Sequence, residues 1–164
     1  MMNGEIELRE KLTDLSGMQV TRVTAGGSTG SVFTLLMQRA SVATNNTTAI
    51  LSEYEVMVKC SWRLDNVEKV LPITGWQEDS NVDGVMTLRL KTLVDDVISK
   101  AEISSFFDLE IIFESGKRMF VFCDITPYVD GNFNWVLFTK EGHYSINTGL
   151  KCNYEKNKSF KLPN

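Results

Sequence analysis

A chain of 164 residues with 43% hydrophobic and 23% charged side chains has the make-up of one ordinary globular domain. That composition excludes wholesale disorder, a collagen-like repeat and a disulfide-dense miniprotein, and no apolar run reaches the roughly 20 residues that span a bilayer. The net charge of −4 argues against a dedicated nucleic-acid binder, which carries a basic excess.

Residues 4 to 15 read as a short amphipathic helix. Asn3 can cap it, Leu8, Leu12 and Leu15 fall at i, i+4 and i+7, and Gly17 can supply the left-handed stop. From Met18 the chain turns to Val, Thr and Phe, so Met18 to Ala25 and Ser31 to Gln38 are expected strands, joined by a Gly26–Gly30 turn. Residues 39 to 49, rich in Asn and Thr, read as an exposed loop. The clearest strand follows: Tyr54, Val56, Val58, Cys60 and Trp62 alternate with Glu55, Lys59, Ser61 and Arg63, with Met57 the exception. Val67 to Thr74 is a shorter strand candidate whose Pro72 suggests an edge or a bulge.

Ser80-Asn81-Val82-Asp83 resembles a capping box, and Val82, Val85, Met86, Leu90 and Leu93 then recur at helical spacing. A second helix over about 81 to 94 is expected, ended by Asp95-Asp96. The rest reads as an antiparallel meander: Val97 to Ile103, Phe107 to Phe113, a Ser115-Gly116 turn, Arg118 to Cys123, and Trp135 to Thr139 after Asp130-Gly131. Residues 151 to 164 hold Lys and Asn with few apolar side chains and are expected to fray. The reading is one α+β domain over residues 1 to 164, a curved and mostly antiparallel sheet of six to eight strands packed with two helices.

Charge is uneven along this chain. Residues 65 to 130 carry thirteen acids against six bases, a net of −7, while residues 140 to 164 carry five lysines and two glutamates, a net of +3. Cys60, Cys123 and Cys152 make an odd number and show no C-x-x-C spacing, which points to free thiols and a reducing cytoplasm. The N-terminus has no apolar stretch of the secretory kind.

Several segments in order carry a resemblance. Ser31 to Leu35 follows a Gly-Ser turn, Cys60-Ser61-Trp62-Arg63 ends a strand, Asp108 to Gly116 reads D-L-x-I-x-F-x-x-G, and Asn134-Trp135 opens a late strand. Over roughly residues 26 to 138 this resembles a group of small uncharacterised bacterial proteins of the kind that includes immunity proteins of polymorphic toxin systems. The resemblance implies a non-enzymatic domain that neutralises a cognate toxin by occlusion, and it implies no cofactor.

The residues themselves offer little catalysis. His143 is the single histidine and sits beside Gly142, where a turn is expected, with no nucleophile elbow nearby. No His/Cys spacing of a zinc site occurs. Gly26 to Ser31 lacks the lysine of a phosphate loop and leads into a strand rather than a helix. Adjacent acids such as Glu78-Asp79 and Asp95-Asp96 make poor acid–base partners. Trp62-Arg63 reads either as a core tryptophan beside a structural arginine or as part of a binding hot spot. The lysines of the tail are too few to make a nucleic-acid patch.

The expected surface for a partner is therefore the acidic middle, with Glu78, Asp79, Asp83, Asp95 and Asp96, together with Arg63. A basic toxin or another protein is the expected partner, with neither nucleic acid nor membrane. The alternative is a small-ligand or structural domain with a pocket lined by Phe107, Phe113, Phe120, Phe122 and Trp135.

Overall fold

The computed structural model describes residues 3–39, 53–66, 73–74, 81–127 and 132–157. Helix α1 (Asn3–Thr13) leads into β1 (Met18–Ala25), a 3-10 turn at Gly27–Thr29 and β2 (Phe33–Arg39). Then come β3 (Tyr54–Val58), β4 (Ser61–Asp65), the two-residue β5 (Ile73–Thr74) and helix α2 (Val85–Lys91). The chain continues through β6 (Ile98–Ile103), β7 (Leu109–Phe113), β8 (Arg118–Phe122), β9 (Phe133–Phe138), β10 (Gly142–Asn147) and β11 (Cys152–Lys156).

The α+β class and antiparallel pairing agree with the sequence, but the strands build two sheets rather than one. The first has six strands in the order β1-β2-β3-β9-β10-β11. The second runs β4-β8-β7-β6, with the short β5 on the outer edge of β4. The physical reason is a corner in the strand that looked most continuous. At Lys59 and Cys60 the chain leaves the first sheet for the second, and both amides donate to the carbonyl of Asn134, at 2.8 and 3.1 Å. Val56, Val58, Cys60, Trp62 and Leu64 stay buried throughout, because both sheets face one core. Alternation survives the corner, so period alone did not show it.

Register explains what fills the space between the sheets. In the first sheet Phe33, Val58, Trp135 and Ile146 lie side by side, as do Leu35, Val56, Leu137 and Tyr144. In the second, Trp62, Val121, Leu109 and Ile103 form one row, and Leu64, Met119, Ile111 and Ala101 the next. All sixteen are buried, and each large apolar side chain so removed from water contributes about 1.5–3 kcal/mol. The layers meet where the Phe33 and Trp62 rings pack edge to face, 5.0 Å between centroids. The indole of Trp62 donates to Ser31 O at 2.9 Å and that of Trp135 to Phe107 O at 2.9 Å, so neither buried N–H is left unsatisfied.

Main-chain bonds also join β1 to the start of β6. Gly17 N donates to Ile98 O at 2.8 Å, Val20 N to Asp96 O at 2.9 Å and Asp95 N to Val20 O at 2.8 Å. Helix α1 presses Leu8 and Leu12 into the core and packs against β6 and β11. Gly17, at φ 82°, takes the left-handed conformation expected of the stop.

Helix α2 is shorter than the periodicity suggested. Its N-cap is Gly84, without a side-chain cap, and Ser80 of the expected capping box lies outside the described residues. Thr87 Oγ1 instead donates to Asn81 O at 2.9 Å. Val82 and Val85 are exposed, whereas Met86, Leu90 and Leu93 are buried, so the apolar face starts a turn later. The tail differs from expectation too. Cys152–Lys156 is an edge strand on β10 rather than a frayed end, its Tyr154 ring packing on Tyr144 with centroids 4.7 Å apart, while residues 158–164 lie outside the described residues. The loop at 39–49 lies outside the described residues except for Arg39.

Candidate functional site

Of the six residues expected to form a partner surface, four lie among the described residues. Glu78 and Asp79 lie outside the described residues. Asp83 is exposed in the turn before α2. Asp95 is exposed beyond the other end of that helix at φ 69°, a conformation Asp tolerates, and its backbone ties down β1. The helix itself ends earlier than expected, at Lys91 with Thr92 as its C-cap, so Asp95 and Asp96 do not end it.

Asp96 is turned inward. Only 7% of its side chain is exposed, and its carboxylate accepts from Val97 N at 3.0 Å, from Ser115 N at 3.3 Å and from the Ser115 hydroxyl. Lys117 Nζ completes the set at 3.4 Å. This cluster binds the β7–β8 turn to the junction of β1 and β6, which is a structural task. Asp96 thus serves as a tie between elements.

Arg63 sits on the outer face of the second sheet, as alternation required, with Trp62 facing the core. Cross-strand register sets Arg63, Phe120, Glu110 and Glu102 in one row and Asp65, Arg118, Ile112 and Lys100 in the next. The Phe120 and Phe122 rings are nearly parallel, 8° apart, with centroids separated by 6.3 Å. Arg63 lies over both, at 4.8 and 5.7 Å, and Arg118 lies over Phe120 at 5.1 Å. Opposite charges close in pairs: Arg63 with Asp65 at 2.7 Å, Lys100 with Glu102 at 2.7 Å, and Arg118 with Glu110.

The result is a face of locally neutralised charge around an aromatic stripe. Phe122 is 40% exposed, and Ile125, three residues on, is more so. A groove of about 340 Å³ borders the stripe, lined among others by Glu102, Ser104, Asp108, Glu110, Phe120 and Phe122. The five aromatics expected to share a pocket are divided between two faces. Phe107, Phe113 and Trp135 belong to the core, while Phe120 and Phe122 point the other way. Sequence reading singled out Arg63 but missed Arg118 and Glu110. The signal was available in Arg118-Met-Phe-Val-Phe122, where a period of two puts Arg118, Phe120 and Phe122 on one side.

His143 lies on β10 rather than in a turn, half-buried, with Phe138 5.5 Å away between ring centres and Glu155 at 3.9 Å. No nucleophile among the described residues is bonded to it. Among the described residues, no group of three or more His, Cys, Asp or Glu side chains is placed to hold a metal ion, and no helix is long and apolar enough to cross a membrane. No protein-family model matches the chain, and no curated protein or solved structure is significantly similar to it.

Proposed function

We propose that this chain is a non-enzymatic protein-binding domain that acts by occlusion, as an immunity protein does on its toxin. The observation that carries the reading is the outer face of the second sheet, where Arg63 and Arg118 frame the stacked Phe120 and Phe122. Arginine and aromatic side chains supply most of the energy at protein interfaces. Here they stand on paired strands, so a partner would meet them already ordered, at little further entropic cost.

The proposed partner is a protein with a basic surface. Beside the stripe Asp65, Glu102 and Glu110 already pair with Arg63, Lys100 and Arg118, so the attraction comes from the wider segment from 65 to 130, the acidic part of the chain with a net of −7. Long-range attraction of that kind speeds encounter, while the aromatic stripe sets how long the complex lasts. Co-expression with the product of the adjacent gene tests the reading. Suppression of that product's toxicity by this chain is the expected result. A neighbour that is harmless alone, or stays toxic beside this chain, overturns it.

A further inference from the structure

Three cysteines are spread along the chain, and the fold sets two of them opposite each other. Strands β4 and β8 pair in register from Asp65↔Arg118 to Ser61↔Phe122. One step further, that register opposes Cys60 to Cys123. Neither amide bonds across the pair: Cys60 N donates to Asn134 O at 3.1 Å, and Cys123 N to Asp108 Oδ1 at 2.7 Å. Directly opposed residues of antiparallel strands hold their Cα atoms about 4.5–5.5 Å apart, within the roughly 4.4–6.8 Å that a disulfide spans. The Cys123 thiol lies close enough to that of Cys60 to raise its pKa. Cys60 is buried and Cys123 half-buried, both in the reduced state. Cys152 is elsewhere, with its thiol against Gly4 O at 3.6 Å.

We propose that Cys60 and Cys123 form a dithiol site that closes to an intramolecular disulfide by exchange with a small disulfide such as oxidised glutathione. Cys123, the more accessible, reacts first. Its thiolate attacks one sulfur of the oxidant, a mixed disulfide forms, and one thiolate of the oxidant leaves and takes up a proton. The sulfur of Cys60 then attacks that of Cys123 and expels the second. Two protein thiols are oxidised to one disulfide, the oxidant is reduced to two thiols, and both protons leave with them.

Hydrogen bonding to Cys123 and burial push the Cys60 thiol well above its usual range, so Cys60 stays protonated until its neighbour has reacted. Closure costs the core little. Cys123 gives up its bond to Phe107 O, at 3.3 Å, but that carbonyl keeps the Trp135 indole at 2.9 Å. The new bond would pin the corner between the sheets to the end of β8. This inference does not depend on the binding role proposed above.

The test uses the full chain in native buffer. The reduced protein is incubated with excess oxidised glutathione, quenched with N-ethylmaleimide and mapped as peptides without reduction. The expected product links the Cys60 peptide to the Cys123 peptide, carries maleimide on Cys152, and melts several degrees higher than the reduced form. Cys152→Ser still closes, whereas Cys60→Ser stops at a Cys123–glutathione adduct. A wild-type chain that stops at that adduct, leaves Cys123 unreacted, or bridges through Cys152 overturns the proposal. A bridge seen only in denaturant does the same.

Discussion

The Arg63 guanidinium stands 4.8 Å from the centre of the Phe120 ring while bonding the Asp65 carboxylate at 2.7 Å. Both contacts are made at the surface, where cation–π pairs and exposed ion pairs contribute little to folding. Arg63→Ala should lower stability by no more than about 1 kcal/mol, as read by urea unfolding. A much larger loss would make Arg63 part of the scaffold rather than part of a docking face.

Asp96 should behave in the opposite way. Its carboxylate serves the Val97 and Ser115 amides, the Ser115 hydroxyl and the Lys117 ammonium with little help from water. Asp96→Ala strands the amides and leaves the Lys117 ammonium only the Thr92 carbonyl, at 3.3 Å, and should cost about 2–4 kcal/mol. Equilibrium unfolding checks this. Amide exchange should accelerate at the β7–β8 turn and at the β1–β6 junction together.

Two tyrosines should titrate late. Burial, reinforced by the Asp14 carboxylate that accepts from its hydroxyl, raises Tyr54 to about 12. Burial and Glu7 likewise raise Tyr144 to about 12. A pKa higher in the folded state than the ordinary value near 10 means that the folded state holds its proton longer. The stability so conferred is complete below pH about 10 and is lost as pH climbs from there to about 12. Tyrosinate absorbance should show both late components. Tyr54→Phe and Tyr144→Phe should each remove one, and late ionisation persisting in both variants would contradict the assignment.

Gly142 is required by close approach rather than by backbone conformation. A Cβ there would collide with Glu155 O and fall 2.8 Å from the Tyr154 hydroxyl oxygen. Gly142→Ala must push β11 away from β10, at a cost of about 1–3 kcal/mol. The β11 amides should lose protection from exchange ahead of those of β9.

Much of the fold was legible in local pattern. The leucines of α1, the alternation through β7 and β8, and Gly17 as a stop each follow from one period or one residue. The corner at Lys59–Cys60 was not legible, because two sheets facing a common core ask for the same alternation on either side of it. Strand β10 was hidden by Gly142 and His143, which suggest a turn even though Gly142, Tyr144 and Ile146 alternate inward. The candidate site was legible only in part. Arg63 carried a surface signal, but its aromatic partners lie on β8, and only cross-strand register unites them. Asp96 shows the converse: its sequence context is that of a solvated acid, and its partners Ser115 and Lys117 come from a distant hairpin.

The docking face is tested most directly by titration calorimetry of this chain against the purified product of the adjacent gene. The wild-type chain should bind it, and Arg63→Glu combined with Phe122→Ser should weaken binding about 30-fold or more while leaving the circular dichroism spectrum unchanged. Undiminished affinity in that folded double variant would contradict the account.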